Sequence, residues 1–394
     1  MFRPVFVFIL AFLLTGAVLS AQNPQATAAG ATEEKSPAEV SAELDAELAK
    51  LMASPWQRTL SLRAATGYRD NLLLSPFAPI GRMFVQAEVE GFAWRLPMQH
   101  WEFVAFLNGD VIRYISPPAE TSGEQQWFGH GEVRWLPSDA WRLTLAGQVY
   151  YQDLVMDLSD TAATRQIVAT RTRGALVTAA SQVNLFGGFA FAPSVQVHRS
   201  TYRKFPGDYD EVKSGARLEW KHGQGLVISA AWFEHARGYD ERPQFTAGGR
   251  ELTGTHLHFR QHEGELKAAD SWTAHGHWTA STTLSGLENR DGGSGFFDYR
   301  EKRARLEVAW ERDPWRLSFD GDAKRRDYLV QTVGIGIAPP PRITDEYDVS
   351  GRVERQAGKV WSIYAEERWE RSRSNESDFN YRANTSILGV QRVY

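Results

Sequence analysis

Five of the ten histidines in this 394-residue chain fall in one short region: His256, His258 and His262, followed by His275 and His277. Neutral imidazole is a common ligand for zinc, copper and nickel, and two rings on directly facing strand positions, about 5 Å apart at Cβ, can share one ion. If residues 250–263 and 270–286 are the strands of a hairpin turning near Leu266, the register sets His258 opposite His275 and His256 opposite His277. All five histidines then share one face. Thr255, Leu257 and Phe259, with Trp272, Ala274, Gly276 and Trp278, take the other. The spacing points to a metal site of His256, His258, His275 and His277, with a protonation-sensitive polar patch as the plainer alternative.

A second pair, His198 and Ser200, shares a strand face, the relation a hydroxyl nucleophile and its base require. A His two residues before a Ser resembles the catalytic segment of the outer-membrane phospholipase family, which implies a barrel-embedded hydrolase. Thr201 and Tyr202 replace that family's following Asn-Gly, and no residue to orient His198 is evident. There is no Walker loop, dinucleotide-binding glycine fingerprint or HExxH. The chain has no cysteine, which excludes disulfides, thiolate metal sites and a lipoprotein anchor. No bound cofactor is expected.

Most charged residues form ladders instead of paired acid/base sites. Arg134, Arg142, Arg217, Glu219, Arg305, Glu307, Arg352, Glu354, Glu366 and Arg368 occupy the polar parity of strands whose other parity is apolar. Such residues are the candidates for lining a water-filled lumen, where charged side chains set ion selectivity. Their mixed signs favour neither anions nor cations.

The elements that would carry these ladders show in a motif that occurs twice. Glu132, Val133, Arg134 and Trp135 run into a break followed by Trp141, Arg142, Leu143, Thr144 and Leu145; Glu307, Val308, Ala309 and Trp310 run into a break followed by Trp315, Arg316, Leu317, Ser318 and Phe319. Strand side chains alternate faces, so each copy is a hairpin with one Trp-capped apolar side and one charged side. About sixteen such strands follow from residue 56 onward, opening at 58–70 and closing at 380–394. The expected fold is therefore all-β: an antiparallel transmembrane β-barrel with short periplasmic turns and longer extracellular loops. Trp94, Trp101, Trp135, Trp141, Trp220, Trp310, Trp315 and Trp361 all lie beside short turns and form the expected aromatic girdle.

Residues 1–21, with Arg3 ahead of an apolar run, read as a signal peptide. Residues 22–55 read as a periplasmic leader with a possible short helix, and 56–394 as the barrel. The formal net charge of −4 gives no reason to expect nucleic acid as a partner. In the last strand Ser386, Leu388, Val390 and Tyr394 share a face. Here the chain resembles bacterial outer-membrane β-barrel proteins, with Arg392 where an apolar or aromatic residue is usual. The resemblance implies an outer-membrane location, lipid and the barrel-assembly machinery as partners, and Tyr394 as the assembly signal. The function expected is passive passage of small hydrophilic solutes or ions. A non-conducting anchor or export component is the alternative, and the hydrolase comes third.

Overall fold

The structure, a computed structural model, describes residues 55–394 apart from 78, 99, 118–121, 158–166, 204, 224 and 335. The expected signal peptide and, but for Pro55, the leader lie outside the described residues. In chain order the strands are β1 (Trp56–Arg69), β2 (Arg82–Met98), β3 (Trp101–Tyr114), β4 (Gly123–Ser138), β5 (Trp141–Asp157), β6 (Ile167–Asn184), β7 (Phe189–Arg203), β8 (Tyr209–His222) and β9 (Leu226–Tyr239). They continue as β10 (Gln244–Phe245), β11 (Glu251–Leu252), β12 (His258–Thr273), β13 (His277–Asp291), β14 (Tyr299–Arg312), β15 (Trp315–Thr332), β16 (Pro341–Gln356), β17 (Trp361–Ser374) and β18 (Tyr381–Val393).

Sixteen of these strands form one closed antiparallel barrel in which each pairs with the next. The ring closes where residues 61–69 of β1 pair with 385–393 of β18, so no sheet edge is left open. The two-residue strands β10 and β11 form a separate ribbon inside the β9–β12 connection. Connections alternate in length: 139–140 and 313–314 turn tightly at the end where β1 begins and β18 finishes, whereas 70–81, 240–257 and 333–340 are longer loops at the other end.

Two observations separate the faces of the wall. Leu145, Val149 and Leu388 are 58%, 60% and 58% exposed, and they belong to a parity that also exposes Leu62, Leu107, Val177, Val195, Leu266 and Val353. The other parity makes ion pairs between strands that are not neighbours. Arg69 of β1 meets Glu124 of β4 and Glu370 of β17 at 3.7 and 3.2 Å, and Lys213 of β8 meets Glu263 of β12 at 2.8 Å. Only the concave side of a curved wall brings such side chains together. Leaving this much apolar surface in water would forfeit roughly 25 cal/mol per Å2, whereas hydrocarbon satisfies it, so the barrel is a transmembrane one.

Aromatic rings pair on the outer face at the short-turn end. Trp101 stacks on Trp135 and Phe189 on Trp220, both with ring centroids 6.1 Å apart, and Trp272 stacks on Trp278 at 6.1 Å. Trp94 is a correction. Its parity is that of Glu88 and Glu90, and its indole Nε1 donates to Glu102 Oε1 at 2.8 Å, so it faces the lumen, not lipid.

The histidine hairpin is the second correction. Its strands are His258–Thr273 and His277–Asp291, displaced toward the C-terminus from 250–263 and 270–286, and the turn lies at 274–276. Gly264, at the start of the expected turn, instead runs through mid-strand, where a Cβ would sit 3.6 Å from the Trp232 ring. The residues that turn the chain are His275 and Gly276, with φ of 52° and 137°, the left-handed region that glycine enters freely.

Candidate functional site

The inner face is divided into sectors of different charge. On β14–β17, Arg303 pairs with Asp322 at 2.7 Å, Lys324 with Glu346 at 2.6 Å and Arg305 with Glu307 at 3.0 Å. Arg352 reaches Glu354 at 3.2 Å and Glu366 at 3.7 Å, and Arg368 bonds Asp348 and, at 3.0 Å, Glu370. Of these, Arg303, Arg305, Asp322, Lys324, Glu346, Asp348, Glu366, Arg368 and Glu370 line a cavity of about 530 Å3. Within it Asp322, Asp348 and Glu370 stand directly opposite one another on consecutive strands. Opposed like charges destabilise a sheet. Here Arg303 and Arg368 offset the repulsion.

Halfway round the ring from β16 lies β6. The inner positions of β5–β7 include Thr144, Gln148 and Tyr150, Thr178 and Leu176, and Ser194, Gln196 and His198, with no acid on that parity and Arg142 at its short-turn end. A solute in the lumen therefore meets a wall of charged groups on one side and a neutral hydrogen-bonding wall on the other.

Between these sectors lies a compact polar cluster. His235 meets Glu211 through Nδ1 at 3.3 Å and Glu263 through Nε2 at 3.0 Å; Glu263 also takes Lys213, and Glu211 accepts from Arg237 Nε at 2.6 Å. The sequence reading missed His235, Glu211 and Glu263. The available signal was parity, since all three fall on the same face as Lys213 and Arg217 once β8, β9 and β12 are in register.

The ten residues expected to face the lumen all occupy the inward parity. Arg134 binds Glu102 at 3.2 Å and also Glu132, Arg217 binds Glu265 at 3.0 Å, and Glu219 binds Lys221 at 3.3 Å. Arg305, Glu307, Arg352, Glu354, Glu366 and Arg368 belong to the charged wall, and Arg142 lies opposite Gln182.

The four proposed metal ligands do not meet. His256 lies in the β9–β12 loop and His258 opens β12 on the outward parity, while His275 and His277 lie at the far turn, a strand length of about 50 Å away. His262 is also outward, stacked on Trp232 with centroids 6.1 Å apart. Among the described residues no group of three His, Asp or Glu side chains is arranged to hold a metal ion. The mistaken turn produced the expected pairing, because the true register sets Thr273 opposite His277.

His198 and Ser200 face the lumen, not lipid. Tyr150 crosses β6 over Gly174, where a Cβ would lie 2.4 Å from its ring, and its hydroxyl donates to Ser200 Oγ at 3.0 Å and meets His198 Nε2 at 3.0 Å. Ser200 is 0% exposed. Its oxygen is engaged by Tyr150 and closed off from substrate, which is not the arrangement of an activated nucleophile.

Loops narrow the wide-loop end. In the 240–257 and 292–298 connections, Phe245, Leu257, Phe296 and Phe297 pack on the inward Tyr209, Tyr239 and Phe259. Asp291 latches the second loop, its carboxylate accepting from the backbone N–H groups of Gly293, Gly295 and Phe297 at 2.8–2.9 Å. Leu72 of the 70–81 loop packs in the same way on Phe84 and Tyr114. The 333–340 loop, in contrast, carries Ile337 fully in the open.

No family model matches this sequence, and no curated protein matches it. Among solved structures the chain is similar to Acinetobacter baumannii OccAB3, with a TM-score of 0.43 and 9% identity over 86% of this chain and 99% of that one. It is also similar to Pseudomonas aeruginosa OccK2 in complex with glucuronate, with a TM-score of 0.43 and 10% identity over 86% and 98% of the two chains. The anion-selective porin from Comamonas acidovorans gives a TM-score of 0.46 and 8% identity over 86% and 99%.

Proposed function

We propose that the chain is a channel of the bacterial outer membrane that passes small hydrophilic solutes or ions passively through a charge-lined lumen. The observation that carries this reading is the inner face: sixteen strands turn charged and hydroxyl-bearing side chains inward, and those of β14–β17 border an open cavity of about 530 Å3. A protein that needed only a membrane anchor would have no use for a wet, polar interior at this barrel size, which is wide enough for an aqueous channel. The charged wall and the neutral wall together favour solutes that combine a charged group with hydroxyl groups, because each side of such a molecule finds partners. The inward-packed loops sort solutes at the mouth. The barrel's termini and short turns lie on the periplasmic side in this reading.

Swelling of liposomes containing the purified protein tests it. Hydroxylated organic acids and small sugars are expected to enter faster than apolar-substituted solutes of equal size. Liposomes that hold correctly folded barrel yet stay as tight as protein-free ones would contradict it and favour the anchor.

A further inference from the structure

On the loop side of the apolar belt the outward face of the wall changes character. Parity brings Arg171 and Arg203, Arg260 and Arg290, Lys302 and Arg325, and Arg371 and Arg382 to the outside, and in each couple the two residues are directly opposed on neighbouring strands. Opposed like charges weaken a sheet. Some are relieved within the chain: Arg171 by Asp153, Arg290 by Glu288 and Asp298, and Arg325 by Asp327. Arg203, Arg260, Lys302, Arg371 and Arg382 make no ion pair among the described residues. The opposite edge of the same face is built differently, with Arg58 over Trp56, Arg355 over Trp315 and Arg392 over Trp361 at 5.3–5.9 Å.

One basic couple also borders a cavity. Arg371 and Arg382, joined by Arg373, line an open cleft of about 550 Å3 at the loop-side rim, completed by Pro76, Ser372, Ser374, Asn380 and Tyr381; no carboxylate lies among its described lining residues, and Arg371 also borders the inner cavity. Three guanidinium groups around a space of that size are suited to phosphate, which arginine grips with paired N–H donors. From this geometry we infer that the rim is a docking surface for phosphorylated glycolipid of the outer leaflet, with the Arg371, Arg373 and Arg382 cleft as its chief phosphate site.

Position decides for lipid over a soluble anion. The basic couples occupy the outward parity and continue strand by strand from the exposed Val177, Leu266, Phe319 and Leu388 of the belt. They also recur at four places around the ring, as contacts with a leaflet do. The inference rests on the membrane orientation given under the proposed function.

The test uses the full-length protein in detergent micelles, presented with bisphosphorylated lipid A, with the same lipid stripped of phosphate, or with inorganic phosphate as competitor, and bound lipid is counted by native mass spectrometry. The wild type should retain the phosphorylated lipid roughly tenfold or more over the stripped one. The Arg371→Gln/Arg373→Gln/Arg382→Gln variant should lose most of that preference, and Arg260→Gln/Lys302→Gln a smaller part. Equal retention of the two lipids by the wild type, or an unchanged preference in the folded triple variant, would overturn the inference. Displacement of the lipid by equimolar inorganic phosphate would replace it with a soluble-anion site. Should the triple variant not fold, an unchanged preference in Arg260→Gln/Lys302→Gln overturns the docking surface by itself. Conductance recorded on the same preparations separates the two readings: lipid preference in a silent barrel removes the channel alone, and conduction without preference removes the lipid site alone.

Discussion

Replacing Arg303 and Arg368 together by Gln leaves the opposed carboxylates Asp322, Asp348 and Glu370 without their nearest cations on the charged wall. A monovalent ion passing about 7 Å from a unit charge in water feels about 0.6 kcal/mol. Screening at 0.1 M salt roughly halves that. Loss of two positive charges then favours a cation by about 0.6 kcal/mol and disfavours an anion by as much, a total of about 1.2 kcal/mol, or roughly five- to tenfold in the permeability ratio. Both arginines are about half exposed, so their ion pairs contribute no more than about 1 kcal/mol each to stability and the barrel should still fold. Reversal potentials across a planar bilayer under a potassium chloride gradient give the ratio directly. A folded, conducting double variant whose ratio moves less than about twofold would refute the placement of this wall beside the ion path.

Four further outcomes are expected. Asp291→Ala removes the acceptor for three backbone N–H groups, at a cost of about 1–3 kcal/mol to loop closure; single-channel records should show higher or noisier conductance, and records identical to wild type would count against the loop's place in the mouth. Gly174→Val should destabilise the barrel by about 1–3 kcal/mol in urea titrations through its clash with Tyr150, with recovery in the Tyr150→Ala background; no recovery would locate the strain elsewhere. Combined His258→Ala and His275→Ala substitutions should leave zinc and nickel retention unchanged by calorimetry, since the two residues lie at opposite ends of β12, and a lost binding isotherm would restore the metal site. Tyr394 is outward and its N–H donates to the Leu60 carbonyl at 2.8 Å; as the proposed assembly signal, its deletion should lower the yield of folded barrel in the outer membrane, and an unchanged yield would remove that role.

The barrel was legible because two periodicities coincide in this sequence: apolar and charged residues alternate, and tryptophans mark one end of strand after strand. Parity then carried each of the ten charged residues to the inner wall without any knowledge of its partner. What the sequence concealed depends on details that alternation does not encode. Gly264 resembles a turn residue but is accommodated in mid-strand beneath Trp232, and this moved two strands and disassembled the histidine site. Trp94 flanks a turn like the girdle tryptophans, yet the register shift between Arg95 and Met98 makes spacing across that turn an unreliable guide to facing. The inward loops lack periodicity altogether; Phe245, Phe296 and Phe297 are recognisable as a mouth only because Tyr209, Tyr239 and Phe259 meet them in space. The separation of a charged wall from a neutral one likewise requires ring closure, which sets β6 across from β16.

The central claim is that water and solute pass along the inner wall of a barrel whose outside is solvated by lipid. Single-channel recording of the purified protein in planar bilayers tests it most directly. Steady, ohmic conductance steps that recur with each insertion are the predicted result. Barrel that inserts in its folded form, as judged by heat-modifiable migration of the same sample, and yet stays electrically silent would contradict the account.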